Sequence, residues 1–227
     1  MITEEKDSLF MEEALPFWKK LTRQQQDTLL RETRPQHFHK GDRLHAGDAD
    51  CSGVYLLQSG QVRTFIISET GREITLFRLF QRDICVFSAS CMMPNINFEV
   101  YIDAERETDA LLIPTGIYRT LSEASPAVKE YTAQLVASRF SDVMWILEQA
   151  LFSSFDKRLA AFLLEQSNIE ESELLHITHE EIARHLGSAR EVVTRMLKVF
   201  QSEEIVKLSR GGIQILSRRR LEELANR

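Results

Sequence analysis

Glycine is so unevenly placed along this chain of 227 residues that it divides the sequence in two. Five of the nine glycines, Gly41, Gly47, Gly53, Gly60 and Gly71, fall within 31 residues. From Pro126 to Gly187, by contrast, neither glycine nor proline interrupts the backbone. Glycine supplies the positive φ of tight turns and weakens helices, so the first region favours short strands and the second long helices. The β-rich pieces Val54–Leu57, Val62–Ile67 and Ile74–Phe77 lie between or just after the clustered glycines. A further strand pair is predicted around Phe98–Ala104 and Thr108–Pro114, and helical spacing of Leu21, Leu29 and Leu30 predicts a helix from about Pro16 to Thr33. The expected fold is α+β, beginning with an antiparallel β-roll of the cupin or jelly-roll kind.

Ser125 suits an N-cap and Pro126 the first helical position, so a long helix is predicted from there. Thr132, Val136, Phe140, Val143, Leu147 and Ala150 step by four and three, a coiled-coil-like seam. Such a seam serves either a helix packed on its own domain or a dimerisation helix, and the second explains better why it separates two different halves. Beyond it, Phe155–Gln166 is amphipathic, 168–174 reads as an acidic connector, and Ile205–Leu208 and Ile213–Leu216 flank a glycine turn as a hairpin. Arg218–Asn226 is predicted to close the chain as a helix. The expected divisions are 1–124 for the roll, 125–152 for the dimerisation helix and 153–227 for a winged helix-turn-helix.

The composition, 43% hydrophobic and 27% charged, is that of an ordinary globular protein. The longest apolar run, Leu159–Leu164, is far below the ~20 residues of a membrane span. The acidic N-terminus lacks the layout of a secretion signal, so a cytoplasmic protein with no membrane partner is expected. Three cysteines, Cys51, Cys85 and Cys91, are too few for a disulfide framework. The net charge of −6 argues against a nucleic-acid partner only superficially. Residues 153–227 hold 12 basic and 12 acidic residues, so the whole excess lies in the first 152. Binding depends on where basic side chains lie rather than on their sum.

Within the neutral third, Thr178-His179-Glu180-Glu181 and Ser188-Ala189-Arg190-Glu191 both have the form of a capping box. They open two helices joined at Leu186-Gly187-Ser188. Ala183 supplies a small residue where the helices cross, Gly187 a turn residue, and Val193 an apolar contact back to the first helix. Ile182, Leu186, Met196 and Leu197 complete the buried side. Arg190, Glu191, Thr194 and Arg195 then share the outward face at the start of the second helix. Arginine can bond guanine O6 and N7 bidentately, and glutamate can accept from cytosine N4. The alternative for Glu191 and Arg195 is a solvated i,i+4 ion pair.

The stretch from Ile177 to Leu197, ITHEEIARHLGSAREVVTRML, resembles the helix-turn-helix of the Crp/Fnr superfamily of bacterial transcription regulators. Lys40-Gly41-Asp42, Gly47-Asp48, Tyr55 to Val62 and Gly71-Arg72-Glu73 are similar to that family's cyclic-nucleotide-type roll. The resemblance implies a homodimer on double-stranded DNA carrying an inverted repeat, with half-sites related to TTGA or TGTGA. By this resemblance Arg190, Glu191, Thr194 and Arg195 read bases, and Thr178, His179, Ser188 and Lys198 contact phosphates. RNA polymerase is a further candidate partner. A constitutive DNA binder with a degenerate sensor is the alternative. An enzyme with a regulatory roll is not expected, since no phosphate-cradling loop or nucleophile motif is present.

The resemblance fails where the cyclic-AMP branch holds its ligand. After Arg82-Asp83 the chain reads ICVFSASCMMP, without the Gly-Glu pair that meets the ribose. Phe98-Glu99 stands near the expected Arg-Ser, and a carboxylate there would repel a cyclic phosphate. The effector is therefore expected to be something other than cyclic AMP, and no cofactor is assigned. Cys85 and Cys91 bracket the missing motif and are candidate redox sensors, the alternative being buried packing. Met92, Met93 and Phe87 suit an apolar small-molecule pocket or plain core packing. An Fnr-type iron–sulfur cluster needs four suitable cysteines. His37, His39 and His45 offer nitrogens for a metal or haem but lack an evident ligand set, so no metal is expected.

Overall fold

The computed structural model describes residues 5–47, 53–92 and 99–226. Contacts divide the chain into two units, residues 1–67 with 76–143, and residues 68–75 with 144–227. The first opens with α1 (Glu5–Ala14), a 3-10 turn at Trp18–Lys20 and α2 (Arg23–Glu32). The sequence predicts one helix over these last two elements. The structure breaks it at Leu21, where the backbone is extended, and Thr22 starts a new helix with a complete capping box to Gln25. The polar helix α1 is not predicted from the sequence, although Met11 and Ala14 are buried on one side of it.

Eight strands follow: β1 (Arg34–Phe38), β2 (Arg43–Ala46), β3 (Gly53–Leu57), β4 (Val62–Ile67), β5 (Glu73–Leu79), β6 (Ile84–Cys85), β7 (Tyr101–Ala104) and β8 (Thr108–Pro114). They make two four-stranded sheets, ordered β1-β8-β3-β6 and β2-β7-β4-β5. The predicted pairing of 98–104 with 108–114 is therefore not formed. β7 pairs with β2 and β4, whereas β8 pairs with β1 and β3, so the turn between them carries the chain from one sheet to the other. Val54, Leu56, Leu57, Leu79, Ile102, Leu111 and Ile113 are buried in this unit's core. At Gly60, φ is +84° and a Cβ would collide with the Glu107 carbonyl and Thr108, so only glycine fits beneath that turn.

Two helices follow the roll, α3 (Thr115–Ala124) and α4 (Pro126–Phe152). The Tyr118 hydroxyl is 2.8 Å from Thr132 Oγ1, and burial pushes the phenol's pKa up to about 12. Val128 is fully buried, and Tyr131, Leu135, Val136 and Val143 pack against the roll's core. The predicted seam is therefore split. Thr132, Val136 and Val143 serve their own unit, while Phe140 and Leu147 are exposed. The uncovered apolar residues instead run Phe140, Met144, Leu147 and Leu151, stepping by four, three and four.

The second unit has its own core, built on Leu159, Leu163, Ile182, Val193, Leu197, Phe200, Ile213 and Leu221. Its elements are α5 (Phe155–Glu170), β9 (Leu174–Leu175), α6 (His179–His185), α7 (Arg190–Ser202), β10 (Val206–Ser209), β11 (Gly212–Ile215) and α8 (Arg218–Ala225). The segment 168–174 is not simply a connector: α5 runs through it to Glu170, and β9 adds a third strand to the β10–β11 hairpin. Among the described residues no helix is long and apolar enough to cross a membrane.

Candidate nucleic-acid interface

The turn between α6 and α7 sets the site. At the start of α6, Thr178 Oγ1 accepts the Glu181 N–H, while the Glu181 carboxylate accepts the Thr178 N–H at 2.7 Å. These bonds satisfy helix-end donors that would otherwise lack partners. At the other end Gly187 takes φ +62°, and the Ser188 N–H donates to the Ala183 carbonyl at 2.9 Å. This is the Schellman closure, which favours glycine at the left-handed position.

The capping box predicted at Ser188 does not form. The Ser188 N–H is used in closing α6, and α7 starts one residue later, with Ala189 as its N-cap and no side-chain bond. Glu191 stays in the first turn, where its charge favours the helix dipole. Ala183, Ile182, Val193 and Leu197 are buried at the helix crossing, and Leu186 and Met196 are partly buried against the same core. Each fully buried Leu or Ile side chain contributes roughly 1.5–3 kcal/mol, enough to hold α7 rigidly.

This packing leaves the opposite side of α7 open. Arg190, Glu191, Thr194, Arg195 and Lys198 line one surface depression. Arg190, Glu191, Arg195 and Lys198 are exposed, and Thr194 is half-buried. No ion pair among the described residues engages Glu191 or Arg195, so the i,i+4 pair considered from sequence is not made. Thr194 is tied down differently: its Oγ1 lies 2.9 Å from His179 Nδ1, bridging α7 to α6. Burial, and secondarily the Arg190 charge, lower the His179 pKa. His179 thus fixes a neighbour on α7, a role sequence spacing does not reveal. Arg210 stands exposed at the turn of the β10–β11 hairpin and was not singled out from sequence.

The sensor candidates are placed less favourably. Cys85 is a free thiol only 2% exposed, and burial pushes its pKa up, against a smaller opposing effect from its bonds to Ser88. Such an environment suppresses the thiolate that redox chemistry needs. Cys51, Met93 and Phe98 lie outside the described residues, as do the side chains of Cys91 and Met92. Phe87 is buried 5.8 Å from Phe77, which is core packing. The Glu99 carboxylate accepts a 2.7 Å bond from the Tyr101 hydroxyl. His45 is buried in the roll, apart from the exposed pair His37 and His39.

Residues 157–224 match the family model of the Crp-like helix-turn-helix domain. A solved Crp/Fnr-family structure from Eubacterium rectale is 51% identical and superposes with a TM-score of 0.93, covering 95% of this chain and 100% of that one. The cyclic AMP receptor protein of Thermus thermophilus is 29% identical over 188 residues, 83% of each chain. The fumarate and nitrate reduction regulatory protein of Vibrio cholerae is 26% identical over 209 residues, 88% of this chain and 81% of that one.

Proposed function

The chain belongs to the Crp/Fnr superfamily of bacterial transcription regulators, and from that membership we propose that it acts as a homodimer reading a twofold inverted repeat in double-stranded DNA. The observation that carries this reading is the open face of α7. Arg190, Glu191 and Arg195 are exposed at the helix's N-terminal end, held there by a buried crossing with α6. That end of a recognition helix enters the major groove. The arginines offer bidentate donors to guanine, and Glu191 offers an acceptor to cytosine. Lys198, Ser188 and the α6 start at Thr178 flank this face and suit phosphate contacts, which position without specifying. Thr194 reads through its methyl or its shared hydroxyl, since the hydroxyl already contacts His179. Half-sites related to TTGA or TGTGA, with centres about 34–36 Å apart, fit this helix and a twofold dimer.

The dimer reading rests on the uncovered row Phe140, Met144, Leu147 and Leu151, with Trp145 and Phe152 beside it. The regulator works in the cytoplasm, without catalytic activity of its own, and with RNA polymerase as a further partner at promoters. Its effector, held in the roll, is a molecule other than cyclic AMP, in keeping with Glu99 where a phosphate-binding arginine would be needed. The effector acts by favouring one arrangement of the paired α4 helices, which requires different affinities for the two arrangements.

Fluorescence anisotropy on both inverted repeats at fixed salt tests the reading. Glu191→Ala and Arg195→Ala should each cost about 1–3 kcal/mol on the matched repeat and relax the preference between repeats. Wild-type affinity and preference in both variants would reject α7 as the reading helix.

A further inference from the structure

The turn that crosses from one sheet of the roll to the other brings together side chains that are far apart in sequence. His37 on β1 and His39 just beyond it are two residues apart, so they point to one side of the strand. Their rings meet edge to face, with centroids 5.0 Å apart. Glu107 reaches them from the turn between β7 and β8. One ligand atom from each of His37, His39 and Glu107 lies within 4.8 Å of the others.

Around them the outer partners are already set. His37 Nδ1 lies 2.7 Å from Asp109 Oδ1, and the two residues pair in register across β1 and β8 although 72 positions apart. A carboxylate only accepts, so Nδ1 carries the proton and donates, leaving Nε2 to face Glu107 Oε2 at 3.3 Å. Asp109 is itself held, its Oδ2 accepting a 2.9 Å bond from the Ser59 hydroxyl. Glu107 Oε1 accepts the Lys40 N–H at 3.1 Å, which turns Oε2 towards the histidine. The glycine-only fit of Gly60 fixes the Glu107 backbone. Asp42 Oδ2 stands 3.5 Å from His39 Nδ1 and gives that ring a carboxylate partner too.

We propose that His37, His39 and Glu107 form a binding site for a divalent transition metal of the zinc class, with Asp109 as the positioning residue for His37. Two imidazole nitrogens and one carboxylate oxygen suit zinc, cobalt or nickel, whereas calcium and magnesium take all-oxygen sets. Metal–ligand bonds of about 2.0–2.2 Å at tetrahedral angles separate ligand atoms by about 3.3–3.6 Å. The His37–Glu107 spacing of 3.3 Å already meets this, and rotation of the exposed His39 side chain closes the rest. A histidine donating its far N–H to a carboxylate is the usual outer support of a metal ligand. Three protein ligands leave a fourth position for water. This site lies within the roll and does not depend on how α7 reads DNA.

Isothermal titration of tag-free, chelator-stripped full-length protein with zinc chloride tests it. One zinc ion should bind per chain, and His37→Ala, His39→Ala and Glu107→Gln should each weaken binding by at least about tenfold. Asp109→Asn should weaken it by about 10–100-fold while leaving all three ligands in place. These side chains are exposed, so circular dichroism should show every variant folded. Cobalt should give visible bands of nitrogen and oxygen ligation without a thiolate charge-transfer band, and a Cys51→Ser, Cys91→Ser variant should bind as the wild type does. The proposal is overturned by no saturable binding, by undiminished binding in the His37→Ala, His39→Ala double variant, or by loss confined to the cysteine variant. Unchanged affinity in Asp109→Asn would remove its positioning role.

Discussion

His179 sits where burial, and then the Arg190 charge, both oppose protonation, so its folded pKa lies below the ordinary 6.5. The unfolded chain consequently binds the proton more readily. This contribution to stability is complete above about pH 6.5 and is lost as the pH falls through the depressed folded value. Denaturant unfolding should therefore show the C-terminal unit weakening as the pH falls below about 6.5. His179→Gln should flatten that dependence, and an equally steep loss in the variant would assign it to other groups. Cys85 gives an equally direct expectation. Brief iodoacetamide treatment followed by peptide mapping should leave it unlabelled in the native protein and labelled in denaturant. Labelling at the rate of a free thiol would restore it as a redox candidate.

Among the elements, α6 and α7 are the most legible in sequence because their determinants are local. Thr178, Glu181, Ala183, Gly187 and Val193 all lie within sixteen residues, and each does what its chemistry predicts. The one error there is the start of α7, displaced from Ser188 because closing α6 consumed that residue's N–H. Thr178→Ala should remove the capping box and lower the unfolding free energy by about 0.5–2 kcal/mol. A smaller loss in a urea titration would mean that packing alone holds the start of α6. The strands are legible as segments but not as partners. β7 and β8 are separated by only three residues and join different sheets, since their partners, such as His45 and Leu56, lie far along the chain. The convergence of His37, His39 and Glu107 escapes sequence reading for the same reason, and the two histidines alone carry no ligand set.

On the scale of the whole molecule, the exposed row on α4 departs, among the described residues, from what a chain folding alone leaves uncovered. Phe140 and Leu151 are each 65% exposed and Phe152 83%. Large exposed apolar patches mark association surfaces. Sedimentation equilibrium should find a dimer, and the double change Phe140→Glu, Leu147→Glu should yield monomers. Losing simultaneous contact with two half-sites should then weaken operator binding by roughly 10²–10⁴-fold. A dimeric variant would place the interface elsewhere on the molecule.

In the proposed dimer, that apolar row would also tie folding to abundance. A surface stabilised only when a second copy covers it makes the thermal midpoint rise with protein concentration by mass action. For such a dimer, the amount of chain a cell makes would set its folded lifetime as well as its occupancy of DNA.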